Sequence, residues 1–163
     1  MSRIPTPATI AEAPEATRPQ LEAVQKQLGS VPNLFRLLAS SPAALNGYLG
    51  LSGALGKGAL DVRTRERIAL AVAEFNGCGY CLAAHAFIGA NMAKLDAAEI
   101  AAARAGRSAD PKADAAVRFA IAVTEARGRA ADADLAAVRA AGWSDAEILE
   151  IVAHVALNTL TNY

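Results

Sequence analysis

The sequence predicts an all-α protein, a compact helical bundle. Alanine, which favours helix and packs closely, accounts for 41 of the 163 residues, whereas aromatic residues make up only 5%. No run of alternating β-branched or aromatic residues is long enough for a strand. Apolar residues recur instead at helical spacing between capping residues, prolines and glycines.

The N-terminal segment differs from the rest because residues 1–16 hold three of the seven prolines. Proline fixes its own backbone and pushes the preceding residue out of helical space. We therefore predict an extended Pro-rich arm over residues 1–16 and a single all-helical domain over residues 17–163. The arm lacks the apolar stretch of a secretory signal.

Four helices are predicted before Asn76-Gly77. Each contains apolar residues at helical spacing, and three of them open at a proline or an Asp cap. They cover residues 18–28, ended by Gly29; 32 to about 41, opened by Pro32; 42–55, opened by Pro42; and 62 to about 75, capped by Asp61.

Five further helices are predicted after Asn76-Gly77. Their boundaries coincide with Asp or Ser caps, with proline at a helix start, or with glycine. They run from about 78 to 92; from the cap Asp96 to 104; from Pro111 towards Gly128; from the cap Asp132 towards Gly142; and from 145 onward, where Ser144 and Glu147 form a capping box.

Charge and hydropathy exclude several classes of partner. Lys plus Arg and Asp plus Glu each number 16, so no net field gathers nucleic acid. No apolar run approaches the roughly 18 residues of a membrane span. We expect a cytoplasmic protein, whose thiols stay reduced, without nucleic-acid or membrane partners. Zero net charge and Ala-rich helix faces favour a homo-oligomer.

Both cysteines lie close to one of the two histidines. Cys78, Cys81 and His85 fall at positions i, i+3 and i+7 of one helix, so their side chains share a side. A Cys-x-x-Cys pair at a helix N-terminus favours the thiolate, which is the nucleophilic form. The second cysteine can then close a disulfide on an oxidised first one. The spacing therefore indicates a redox-active pair.

Glu66 lies on the apolar face of the preceding helix. A partly buried carboxylate there can act as a base, with His85 as the relay to the cysteines. The alternative for Glu66 is an ion pair with one of the neighbouring arginines, Arg63, Arg65 or Arg67.

A zinc site is the main alternative to the redox pair. The two thiolates and His85 could bind zinc with His154 as a distant fourth ligand. Structural zinc sites, however, normally use two ligand pairs, and only one pair is present. His154 is expected to be a core or interface residue, and a packing coincidence of the cysteines is a further alternative. We expect no metal and no bound cofactor.

The spacing of Glu66, Cys78, Cys81 and His85 resembles the alkylhydroperoxidase D (AhpD-like) core of the carboxymuconolactone decarboxylase superfamily. The similarity extends over roughly residues 31–163, and the chain resembles a subgroup often called uncharacterised peroxidase-related proteins. It is carried by Arg65-Glu66, Asn76-Gly77, Tyr80 and the segments 31–35, 41–42, 142–145 and 158–163. The resemblance implies an all-helical fold that associates as trimers or hexamers.

The resemblance also implies residue roles. Cys81 would be the peroxide-attacking thiolate and Cys78 the resolving cysteine, with Glu66 and His85 as a proton relay. The activity implied is that of a thiol-dependent peroxidase, an antioxidant enzyme that reduces hydroperoxides with electrons from a thiol or dithiol reductant protein.

Two supporting positions and two other functions complete these expectations. Asn76 precedes the motif, and Tyr80 stands where well-studied alkylhydroperoxidase D proteins carry a histidine. The alternatives are a lactone decarboxylase, whose branch typically lacks the cysteine pair, and a non-catalytic redox-sensing oligomeric module.

Overall fold

The computed structural model describes residues 4–163, and the all-α prediction is confirmed. Residues 1–3 of the predicted arm lie outside the described residues. Within the described part of the arm and just after it, residues 10–12 and 15–17 form short 3-10 helices. The helices are α1 Arg18–Leu28, α2 Asn33–Leu38, α3 Pro42–Leu55, α4 Val62–Phe75, α5 Gly79–Asn91, α6 Ala97–Arg104, α7 Pro111–Glu125, α8 Asp132–Ala140 and α9 Asp145–Asn162.

The chain divides into two compact units, the first ending at Ala54 and the second running from Leu55 to Tyr163. In the first unit, Leu21 of α1 and Leu45 of α3 are fully buried in a small core. The Thr17 hydroxyl donates to the carbonyl oxygen of Ala39 at 3.1 Å, which ties the start of α1 to the end of α2. The predicted boundary after residue 16 stays a prediction.

Helix α4 is the centre of the second unit and packs against α5, α6, α7 and α9. Every residue from Ile68 to Ala73 is buried, because neighbouring helices cover α4 on several sides. Small alanines alternate with Ile68, Leu70 and Val72 along this stretch, so the neighbours can approach closely.

Helices α4 and α9 lie side by side and run in the same direction. Near their starts, the backbone N–H groups of Ala59 and Leu60 donate to the Glu150 carboxylate at 2.8 and 3.2 Å. Just past the end of α4, the Asn76 amide donates to Asn162 Oδ1 at 2.9 Å. This alignment brings the end of α9 to the segment that carries the cysteines.

The predicted caps are present with one exception. Asp61 and Asp96 accept backbone hydrogen bonds at the starts of α4 and α6, each at 2.8 Å. Asp132, however, is the first helical residue of α8 and not its cap, because Ala131 occupies the N-cap position. There the Asp134 carboxylate accepts from the Ala131 N–H at 3.1 Å, so an acid inside the first turn replaces the expected cap.

A buried ion pair joins α4 to α6. Arg67 Nε donates to Glu99 Oε1 at 2.6 Å, and Glu99 also accepts from the Ser108 hydroxyl and the Ala109 N–H. Burial alone would raise the pKa of Glu99, but these hydrogen bonds and the Arg67 charge together lower it. The pair withdraws Arg67 from any interaction with Glu66.

No helix among residues 4–163 is long and apolar enough to cross a membrane.

His154 is a buried histidine of α9, only 5% exposed. Burial, together with the nearby positive charge of Arg65, lowers the pKa of His154 to about 4, while Glu150 opposes the shift. Its Nε2 has no hydrogen-bond partner among the described residues. The imidazole is therefore neutral in the folded protein at pH 5 and above.

This shift predicts a pH-dependent stability. In the unfolded chain His154 is protonated below about pH 6.5, so the unfolded state binds the extra proton and stability falls as pH drops. We expect this residue to lower the free energy of unfolding by about 2 kcal/mol between pH 7 and pH 5. Urea titrations of the parent and His154→Gln at both pH values measure it. If the free energy of unfolding fell equally in the two proteins between pH 7 and pH 5, His154 would not be the cause of the loss.

Candidate active site

The site is built at the corner between α4 and α5. Asn76 ends α4, Gly77 turns the chain with a φ of +69°, and Cys78 is the N-cap of α5. The Cys78 N–H donates to the carbonyl oxygen of Ala73 at 2.9 Å, which fixes the turn. The left-handed backbone at residue 77 favours glycine, and it starts a new helix directly at the first cysteine.

The two cysteines form a disulfide, with their Cα atoms 5.3 Å apart. The prediction that they lie within disulfide reach at a helix start is confirmed. Cys78 Sγ accepts a hydrogen bond from the Cys81 N–H at 3.3 Å, so it acts as the capping group of α5. Cys78 is partly exposed, whereas Cys81 is only 5% exposed.

A carboxylate–histidine pair lies between the same two helices. His85 Nδ1 of α5 is 2.8 Å from Glu66 Oε2 of α4. Their side chains are 23% and 12% exposed, so the pair is mostly shielded from solvent. His85 follows Cys81 by one helical turn, which places both side chains on the same side of α5.

The arginines beside Glu66 have other partners. Arg67 pairs with Glu99, and Arg65 Nη1 donates to the carbonyl oxygen of Gly56 at 2.8 Å. Among the described residues, the ion pair found for Glu66 is the one with His85. The alternative of a Glu66–arginine ion pair is therefore wrong: Arg65 binds the segment just before α4, Arg67 binds α6, and no Glu66–Arg63 ion pair is found among the described residues.

The end of α9 contributes two contacts that the sequence did not indicate. The carbonyl oxygen of Thr161 lies 3.6 Å from Cys81 Sγ, and Asn162 accepts the hydrogen bond from Asn76 described above. The Thr161 contact uses a backbone atom, which no sequence pattern marks. The side chains of Asn158 and Asn162 are polar, and they were the available indication that the end of α9 makes specific contacts.

The remaining predicted residues are less closely joined to the site. Tyr80 is 55% exposed at the surface beside the cysteines. His154 lies in the core of the second unit. Residues 4–163 contain no group of three or more His, Cys, Asp or Glu side chains that could hold a metal ion, so His154 does not complete a ligand set with the cysteines.

The family model for carboxymuconolactone decarboxylases matches residues 42–126, just over half of the chain. The chain belongs to the carboxymuconolactone decarboxylase family. The matched span contains the whole cysteine motif and the Glu66–His85 pair. No curated protein sequence matches the chain.

Solved structures place this family member among AhpD-like proteins, as predicted. An alkylhydroperoxidase AhpD core, an uncharacterized peroxidase-related protein from Ralstonia eutropha JMP134, is 30% identical with a TM-score of 0.85, and the match covers 98% of this chain and 86% of that one. An uncharacterized peroxidase-related protein from Silicibacter sp. TM1040 is 26% identical with a TM-score of 0.82, covering 99% and 85%.

The debrominase Bmp8 is also similar, at 20% identity with a TM-score of 0.80, covering 99% of this chain and 87% of that one. At this identity the similarity shows a shared fold only.

The corner geometry predicts different effects on stability for substitutions of Gly77 and Gly79. Gly77→Ala forces a side chain into the left-handed region and should lower the free energy of unfolding by about 1 kcal/mol. Gly79→Ala is the matched control because residue 79 is helical, so alanine should be neutral or slightly stabilising there. Neither added Cβ meets an atom within 4 Å.

Urea denaturation of the oxidised proteins checks this pair of glycine variants. Equal stability of the two would show that the corner does not need the left-handed residue.

Proposed function

We propose that this family member is a thiol-dependent peroxidase that reduces hydroperoxides through a Cys78–Cys81 redox disulfide. The observation that carries the proposal is the cysteine pair, whose Cys81 lies one helical turn before His85, together with the 2.8 Å between His85 Nδ1 and Glu66 Oε2. A nucleophile, a resolving group and an oriented base are the parts that the reaction requires.

The catalytic cycle begins with Cys81 as the thiolate. It attacks the terminal oxygen of the hydroperoxide, the O–O bond breaks, and the alkoxide takes a proton and leaves as the alcohol. Cys81 is then a sulfenic acid. The Cys78 thiolate attacks Cys81 Sγ, hydroxide leaves and is protonated to water, and the disulfide forms. A thiol or dithiol reductant protein returns the pair to the reduced state.

The Glu66–His85 pair supplies the base. An ionised carboxylate can only accept a hydrogen bond, so it holds the proton on His85 Nδ1 and leaves Nε2 as the proton acceptor. Nε2 can then take the proton of Cys81, and Glu66 stabilises the imidazolium that results. This is the role a carboxylate plays behind a catalytic histidine in general. These steps call on no bound metal or cofactor.

The similarity to named proteins supports the same chemistry. The Ralstonia and Silicibacter proteins are both described as peroxidase-related, and the match to the first covers nearly the entire chain.

The predicted trimer or hexamer and the cytoplasmic location stay predictions. Exposed apolar side chains are available for association between copies; they include Phe87 and Met92 near the end of α5 and Leu149 on α9.

A hydroperoxide-consumption assay with tert-butyl hydroperoxide tests the proposal, with dithiothreitol, thioredoxin-like or lipoyl-bearing reductants supplied in turn. We expect turnover that depends on a dithiol. Cys81→Ser should abolish it, and Cys78→Ser should accumulate a sulfenic acid on Cys81, because the resolving thiol is gone. Dimedone labelling followed by mass spectrometry locates that acid.

Three outcomes would contradict the peroxidase. Oxidation of the pair without turnover would favour the redox-sensing module. Lactone decarboxylation without peroxide consumption would favour the decarboxylase. Bromide release from 2,3,4-tribromopyrrole without peroxide consumption would favour a reductive dehalogenase.

The relay predicts a second set of kinetic effects. Glu66→Gln and His85→Phe should each slow the reaction with hydroperoxide by about 10²-fold, the usual size of a general-base contribution. Because both residues act as one unit, the double variant should be little slower than either single one. Raising the pH should partly restore the rate, since hydroxide can then deprotonate the thiol.

Glu74→Gln is the matched control for the relay, because Glu74 lies on α4 as well but pairs with the exposed Arg104. Stopped-flow rates with the pre-reduced proteins measure all four variants. Unchanged rates in the Glu66 and His85 variants would remove the relay from the mechanism.

A further inference from the structure

The two sulfurs of the disulfide have different surroundings. Cys78 is partly exposed at the start of α5, whereas Cys81 is 5% exposed. The last turn of α9, residues 158–162, here called the closing turn, lies against Cys81, with the Thr161 carbonyl oxygen 3.6 Å from Sγ. In the oxidised protein Cys78 is therefore the more exposed of the two residues, and Cys81 has the closing turn beside it.

The closing turn is held by hydrogen bonds at both ends. The side-chain amide of Asn158 donates to the backbone carbonyl oxygen of His154 at 2.8 Å. The Thr161 hydroxyl donates to the backbone carbonyl oxygen of Asn158 at 3.0 Å. Asn162 accepts from Asn76 at 2.9 Å, which ties the turn to the corner before Cys78. The cover over Cys81 is thus anchored to the segment that carries Cys78.

We propose that the closing turn makes Cys78 the sulfur at which a dithiol reductant opens the disulfide. The inference rests on the proposed function only in that the disulfide is reduced during turnover. It adds which of the two sulfur atoms the reductant attacks.

The reductive step proceeds in two exchanges. A reductant thiolate attacks Cys78 Sγ, a mixed disulfide forms, and the Cys78–Cys81 bond breaks with its electron pair going to Cys81. Cys81 takes up a proton, which balances the one lost by the attacking thiol. The second thiolate of the reductant then attacks the reductant sulfur of the mixed disulfide. Cys78 leaves with the electron pair and is protonated, and the reductant departs as a disulfide.

Two physical effects oppose each other in the choice of sulfur. The helix N-terminus and the Cys81 N–H stabilise a thiolate on Cys78, so leaving-group quality alone would favour attack on Cys81. Access favours attack on Cys78, because a thiolate must reach its target sulfur before the disulfide bond can break. Cys81 is only 5% exposed and has the Thr161 carbonyl oxygen 3.6 Å from its sulfur, so a thiolate carried by a peptide or protein, which is larger than a hydroperoxide, reaches Cys78 more readily, and access decides.

The same carbonyl stabilises the product of attack at Cys78. The disulfide has no proton to donate, whereas the reduced Cys81 thiol can donate its S–H to the Thr161 oxygen. Release of Cys81 therefore creates a hydrogen bond that the oxidised state lacks.

Trapping the intermediate with a monothiol tests the inference. The oxidised protein is mixed with excess glutathione and quenched with N-ethylmaleimide. Trypsin leaves both cysteines in one peptide, residues 68–94, and fragment ions that break at Gly79 or Tyr80 locate each adduct. We expect glutathione on Cys78 and maleimide on Cys81 in about tenfold excess over the reverse. Equal amounts, or an excess of the reverse, would overturn the proposal.

Variants of the closing turn test the cause of the selectivity. Asn162→Ala and Asn76→Ala remove the same hydrogen bond from opposite sides, and each should lower the adduct ratio by about threefold or more. Leu160→Ala is the control: its side chain is on the same turn but 53% exposed, and the ratio should stay at the parent value. If Asn162→Ala does not fold, Asn76→Ala carries the test. An unchanged ratio in the asparagine variants would show that the turn does not govern access.

The trapping experiment contains no peroxide, so its result does not depend on whether the protein is a peroxidase. Glutathione on Cys78 in a protein that does not consume hydroperoxide would remove the peroxidase and keep this inference. Peroxide turnover with glutathione on Cys81 would keep the peroxidase and remove this inference.

Discussion

The packing of α4 in the centre of the second unit is the constraint on which the site depends. Every side chain from Ile68 to Ala73 is apolar and buried, so none of them can take part in the chemistry of the site. The groups that carry chemistry lie at its two ends: Glu66 before the buried stretch and the Asn76–Cys78 corner after it. Because α5 turns back from that corner along α4, His85 reaches Glu66 while the cysteines stay at the corner.

The polar groups buried around α4 are placed by the same packing. Arg67 and Glu99 satisfy each other between α4 and α6, and Glu150 binds the backbone just before α4. A buried pair of this kind costs desolvation energy, and it is tolerated here because Glu99 has further donors in Ser108 and Ala109. One consequence is functional: with Arg67 engaged elsewhere, the Glu66 carboxylate is left to His85.

Parallel alignment of α4 and α9 extends this arrangement to the disulfide. It brings the Thr161 carbonyl oxygen, in the last turn of α9, beside the sulfur of Cys81 in the first turn of α5. The negative end of one helix therefore faces Cys81 while the positive end of another supports Cys78. Two chemically identical side chains, three residues apart, thereby acquire different access and different hydrogen bonds.

Much of this protein follows from its sequence. Alanine content and apolar spacing determined the all-α fold, and prolines, glycines and Asp or Ser caps located most helix boundaries, because these depend on local backbone preferences. The cap of α8 was misplaced by one residue, since Asp132 and Asp134 both lie near the start and spacing alone does not say which one accepts from the backbone.

The motif spacing also determined the cysteine pair at a helix start, because residues three apart on one helix are close in any fold. Only the tertiary structure decided which partner Glu66 takes, since three arginines and a histidine were equally available along the chain. It alone also placed the Thr161 carbonyl over Cys81, because a backbone atom from a helix 80 residues away leaves no mark in the sequence around the cysteines.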